Sequence, residues 1–277
     1  MKLVDVMGLE YSRSKSWLNW TLGLSFAILA MTILSIYMLP GDGPKVLGFM
    51  AALFQIFLFF SRHLSKYHFG LAEQIRRLAM LHDGLGINPS EDQIASIWQK
   101  VGNPQDAKPA YLSPYYESQS PKGHKRLLEI TRESAFFSGS LANSSSIVFW
   151  TLAGLGFLVS ALSFIALVQT GASLSTLETT SKAVVASMVF WVTGDLAAMA
   201  WQFKILAQTS ERIQTQCANL LLKSENINDA THTIVGEYNC AVVQAPPIPE
   251  WIYKWRKNVL NEAWKNRQVF AGTSNAT

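Results

Sequence analysis

The stretch WLNWTLGLSFAILAMTILSIYML, residues 17–39, decides the fold class, because it contains no acidic, basic or histidine residue. A helix needs about 20 mostly apolar residues to cross the hydrocarbon core of a bilayer, and this stretch supplies them. Trp17, Trp20 and Tyr37 bracket it, as aromatic side chains do at a membrane–water boundary. Arg13 and Lys15 precede it, a feature shared with cleaved secretion signals. Its apolar core is too long for such a signal, and no small-residue cleavage site precedes the turn at Pro40-Gly41-Asp42-Gly43-Pro44.

Three more charge-poor windows follow, at 44–60, 147–169 and 182–204. The second is short and must borrow a turn from its flanks. Trp150 opens the third, Trp201 closes the fourth, and the fourth contains Asp195. The pattern predicts an all-α polytopic membrane protein with four transmembrane helices in two hairpins. Residues 1–60 hold an N-terminal segment and the first hairpin, and 147–205 hold the second. Residues 61–146 and 206–277 form helical cytoplasmic regions, with a disordered tail from Gly272. Composition agrees: 15% of residues are charged, against about 25% in soluble domains.

Of the 23 Lys and Arg residues, all but Lys45 and Lys182 fall in the N-terminus, the 61–146 stretch or the C-terminal stretch. Cytoplasmic segments carry the Lys/Arg excess, so both termini and the middle stretch are expected in the cytoplasm. Cys217 and Cys240 are then reduced thiols, not a disulfide framework. A formal net charge of +4 is too mild to argue for a partner of duplex DNA or RNA.

Leu64, Tyr67, Leu71, Ile75 and Leu78 recur at helical spacing, and Gly84 and Gly86 end that helix. Asn88-Pro89-Ser90-Glu91 opens another, with Ile94, Ile97, Trp98 and Val101 as its apolar stripe. A proline-bearing loop leads to Gly123, where a helix with Leu127, Leu128, Ile130 and Phe136 begins. After the turn at Ala245-Pro246-Pro247-Ile248-Pro249, residues 250–267 read as a basic amphipathic helix carrying Trp251, Trp255, Val259, Leu260 and Trp264. Packing within the chain, contact with an anionic leaflet and a share in a ligand pocket all fit that helix.

The chemistry expected is not enzymatic. The five histidines form no His-Glu-x-x-His pair, and there is neither a Gly-x-x-x-x-Gly-Lys loop nor a Cys-x-x-Cys. No cofactor or metal is expected. Asp195 is the sharpest residue, because a carboxylate within a span costs a few kcal/mol even on mild insertion scales. In an oligomer, identical aspartates would form a ring, and acidic rings favour cations in a pore. Asn19 and Gln55 are further pore-lining candidates, or partners of Asp195 inside its own bundle together with Ser160 or Ser163. Gly154, Gly156, Ser160 and Ser163, and Gly194, Ala197 and Ala198, give two helices small faces suited to close packing.

Several stretches carry a resemblance. They are Tyr11-Ser12-Arg13-Ser14-Lys15, Pro114-Tyr115-Tyr116, Gly123-His124-Lys125-Arg126-Leu127-Leu128-Glu129, Arg132-Glu133-Ser134-Ala135-Phe136, Glu237-Tyr238-Asn239, Pro246-Pro247-Ile248-Pro249, Tyr253, Leu260-Asn261 and Trp264. With four spans in this order, the chain resembles the SMODS-associated four-transmembrane family of pore-forming effectors, over nearly its whole length. The resemblance implies a homo-oligomeric pore in the bacterial inner membrane. It implies anti-phage defence beside a nucleotidyltransferase, and control by a nucleotide second messenger that opens the pore or holds it closed.

A nucleotide needs Arg or Lys donors, a helix N-terminus and aromatic faces. Tyr115, Tyr116, Lys122, His124, Lys125 and Arg126 supply all three. Arg76, Arg77, Arg132, and Lys254, Arg256 and Lys257, are expected to converge on them, unless these charges only fix topology. The alternative function is a non-conducting, membrane-anchored sensor that recruits a cytoplasmic partner.

Overall fold

A computed structural model describes residues 3–37, 42–102, 106, 115–169, 173–193, 195–223 and 227–273. Eight helices occur among them: α1 (Leu3–Tyr37), α2 (Asp42–Leu85), α3 (Glu91–Val101), α4 (His124–Gln169), α5 (Leu174–Thr193), α6 (Asp195–Lys223), α7 (Ile227–Gln244) and α8 (Glu250–Thr273). No strand occurs among the described residues. Four segments are long and apolar enough to cross a membrane: Leu3–Tyr37, Asp42–Leu85, His124–Ala166 and Leu174–Leu222. Large apolar side chains point outward there; Phe49 and Phe59 are 65% and 67% exposed. A soluble monomer rarely shows a contiguous surface of this kind.

The helices fall into two compact units, one made of Met1–Lys15, Lys66–Ser145 and Gln202–Thr277, the other of Ser16–Ser65 and Ser146–Trp201. The N-terminal segment is helical from Leu3, as the first turns of α1. The tail expected from Gly272 is entered by α8, which ends at Thr273. The turn residues Pro40 and Gly41, most of the 102–114 loop, Gly194 and the side chain of Asp195 lie outside the described residues.

In the first unit, Val6 and Met7 of α1 pack with Leu71 and Ile75 of α2 and with Ile97 and Val101 of α3. Helix α3 starts where the sequence placed it, because Ser90 and Gln93 form a reciprocal capping box that satisfies two otherwise orphaned N–H groups. Helix α2 stops at Gly86, whose φ of 78° suits glycine; its N–H donates to the His82 carbonyl at 3.0 Å. Met80, Tyr116, Leu127, Ile130 and Val235 form a second cluster. Phe136 and Leu141 of α4 meet Leu260 and Trp264 of α8 in a third. The amphipathic helix α8 therefore packs within the chain, while Trp251, Trp255 and Val259 stay exposed. Of the two thiols, Cys217 is buried and Cys240 exposed.

In the second unit, Thr21 of α1 shares a 2.7 Å hydrogen bond with Ser61 of α2. Ser160 of α4 does the same with Ser187 of α5 at 2.8 Å. Gly156 lies so close to the Trp191 ring that a Cβ there would fall inside it, whereas Gly154 faces open space. Only part of the predicted small face of α4 is a contact, since Ser163 bonds its own helix at the Val159 carbonyl. Asn19 and Gln55 are both exposed on this unit.

Candidate functional site

A cavity of about 740 Å³ opens in the first unit, within the range of small-molecule sites, about 300–1,000 Å³. Helix α1 gives it Tyr11 and Lys15, and α2 gives Phe69, Glu73 and Arg76. Tyr115, Tyr116 and Glu117 come from the segment before α4, and Glu133, Ser134, Phe137 and Ser138 from α4 itself. Tyr238 comes from α7, Pro246, Pro247 and Ile248 from the α7–α8 turn, and Tyr253, Lys257 and Asn261 from α8.

One buried network organises the wall. Tyr11 Oη donates to Glu73 Oε1, and Arg76 Nε donates to Glu73 Oε2 at 2.7 Å. Arg76 Nη2 reaches Asn239 Oδ1 at 2.9 Å, and its guanidinium lies 5.1 Å from the Tyr238 ring centroid. The Tyr238 hydroxyl shares a 2.8 Å bond with Ser138. Helices α1, α2, α4 and α7 are thereby tied through a paired charge, and a buried charge is tolerated only when so satisfied. Burial holds the Tyr11 and Tyr238 phenols above their ordinary range.

Two features distinguish the cavity from a plain core. Tyr116 is 3% exposed, and its hydroxyl has no hydrogen-bond partner among the described residues. An unpaired buried polar atom costs about 1–3 kcal/mol, a penalty that a polar ligand or a water would lift. The cations also differ in commitment. Arg76 is held by Glu73 and Lys15 by Glu250 at 2.6 Å. Lys257 forms no ion pair among the described residues and lies 6.0 Å from the Tyr253 ring centroid, from which Lys15 lies 5.3 Å. Burial, reinforced by Glu117 nearby, pushes the Glu133 carboxyl up to about 7, although the Glu117 N–H donated to it pulls the other way.

No family model, no curated protein and no solved structure matches this chain. Tyr11, Tyr115, Tyr116, Glu133, Tyr238, Pro246, Tyr253 and Asn261, far apart in the sequence, share this one cavity.

The structure brings together only part of the predicted nucleotide set. Arg76, Tyr115 and Tyr116 line the cavity, and so does Lys257. Arg126 does not line it: its Nε donates to the Asp83 carbonyl at 2.7 Å and its Nη1 to the Ser118 and Ser120 carbonyls at 2.8 Å each. It pins the segment that presents the tyrosines. Arg77 donates to the Asn239 carbonyl at 3.3 Å. Lys122 lies beside Gly86, Lys125 is exposed, and His124 faces His232. Arg132, Lys254 and Arg256 are likewise absent from the lining. Tyr11 and Glu73 are cavity residues that the sequence reading does not single out. The signal was present: Leu3, Val6, Met7, Glu10, Tyr11 and Ser14 continue a helical stripe.

Proposed function

We propose that the chain is the subunit of a homo-oligomeric membrane pore gated by a nucleotide second messenger bound in the first unit's cavity. The pore lies in the bacterial inner membrane with both termini cytoplasmic, and serves as the effector of an anti-phage defence system. The observation that carries this reading is the cavity itself: tyrosine faces for stacking bases, Lys257 for a phosphate, and the Tyr116 hydroxyl awaiting a polar partner. Stacking and cationic groups together are what a nucleotide requires. The four apolar segments support insertion. The Thr21–Ser61 and Ser160–Ser187 bonds support two hairpins. One protomer is too narrow to conduct, so the pore forms between copies, with Asp195 as its acidic ring. The ligand shifts the gate only through its different affinity for the open and closed states.

The test is binding of cyclic di- and trinucleotides to the detergent-purified protein, followed by ion flux from liposomes. Tyr116→Phe removes one hydrogen bond worth about 1 kcal/mol and should weaken binding several-fold. Absence of both binding and flux rejects the proposal. A second reading, an anchored sensor that recruits a soluble partner, is favoured by the exposed Trp251, Trp255 and Val259 of α8. Nucleotide binding without conductance would select it.

A further inference from the structure

His124, the first residue of α4, and His232 of α7 lie outside the cavity wall and face each other Nε2 to Nε2 at 3.4 Å. Their ring centroids are 5.3 Å apart and their planes 89° apart. A direct N–H···N bond would bring the nitrogens closer, to about 3.0 Å. Two imidazoles on one tetrahedral ion, each at about 2.0–2.1 Å, stand about 3.4 Å apart at nitrogen. If each ring also aims its Nε2 at that ion, the centroids fall about 5.2 Å apart on the same bond lengths. Both separations in the protein match this second arrangement.

We propose that His124 and His232 form a two-histidine site for a first-row divalent cation of the Zn²⁺ class. Neutral imidazole is a preferred ligand of Zn²⁺, Cu²⁺ and Ni²⁺. No group of three or more His, Cys, Asp and Glu is placed to hold a metal among the described residues, so water completes the coordination sphere. His232 is exposed and His124 half-buried, so the ion enters from solvent. Lys122 on the preceding turn and Lys125 within the first turn of α4 oppose a second positive charge, which keeps the affinity moderate. A bound ion would staple the start of α4 to α7, the helix whose Tyr238 and Asn239 hold Arg76.

The experiment uses the tag-free full chain in detergent, stripped with a chelator and titrated with Zn²⁺ at pH 7.5. One equivalent should bind and raise the unfolding temperature. Losing even an outer partner of a ligating histidine costs about 10–100-fold in affinity, so His124→Ala and His232→Ala should each cost at least about tenfold. His63→Ala and His82→Ala should bind as the unaltered chain does. Cu²⁺ as a spectroscopic probe should show two imidazole nitrogens in the unaltered protein and one in either alanine variant, a readout independent of stability. Equal Zn²⁺ affinity in His124→Ala, His232→Ala and the unaltered chain would overturn the site, as would a titration without saturable binding.

Discussion

Glu133 offers a test of the cavity's electrostatics that needs no ligand. Its side chain is in a residue only 8% exposed, and burial raises its carboxyl from 4.5 to about 7. The folded state therefore binds a proton that the unfolded chain releases. The associated stability is fully present below about pH 4.5 and is lost as pH climbs through about 7. Each tenfold change in proton affinity is worth about 1.4 kcal/mol, so the full loss is on the order of 3–4 kcal/mol. Glu133→Gln keeps an oxygen that can accept the Glu117 N–H and removes the ionisation. The variant should lie close to the unaltered chain at pH 5 and exceed it by much more at pH 8, several degrees at about 2–4 °C per kcal/mol. Thermal unfolding in detergent across pH 5–8 reads the difference and cancels every other titrating group. A gap of the same size at pH 5 and pH 8 would refute the assignment of a proton to this carboxyl.

Three further expectations follow from the contacts. Arg126→Ala removes three bonds to carbonyls and should destabilise the first unit by about 2–4 kcal/mol, given about 1.5–3 kcal/mol for a charged hydrogen bond; Arg126→Lys, without the planar fork, should restore little. Gly84→Ala would place a Cβ 3.0 Å from the Leu127 Cα, and overpacking of this kind costs about 1–3 kcal/mol, visible as a lowered unfolding temperature. Lys257→Glu replaces the uncommitted cation and should abolish nucleotide binding while leaving Zn²⁺ binding at His124 and His232 unchanged, as calorimetry can compare in one preparation.

The four apolar windows and the cap at Ser90 were legible because each is a local pattern with a fixed period or offset, whereas the apolar stripe of α8 divides, Leu260 and Trp264 facing inward and Trp251, Trp255 and Val259 outward. The cavity was not, because its wall is assembled from residues as distant as Tyr11 and Asn261. Chain proximity misled at α4. Lys122, Lys125 and Arg126 stand near Tyr115 and Tyr116 in sequence, yet Arg126 donates to the carbonyls of Asp83, Ser118 and Ser120 instead of lining the cavity. Glu133 and Phe137, one helical turn apart, reach the cavity instead. Arg76 and Arg77 illustrate the same limit: adjacent positions on a helix diverge by about 100°, and only Arg76 points into the cavity wall.

The two cysteines give the protein a built-in probe position. Burial pushes the Cys217 thiol up to about 12, which leaves almost no thiolate at neutral pH, and the thiolate is the nucleophile. Cys240 is exposed and directly follows Asn239, a partner of Arg76. A maleimide dye or spin label applied to the native sequence should therefore land on one site only, next to the Arg76 network, and report its rearrangement without any engineered residue.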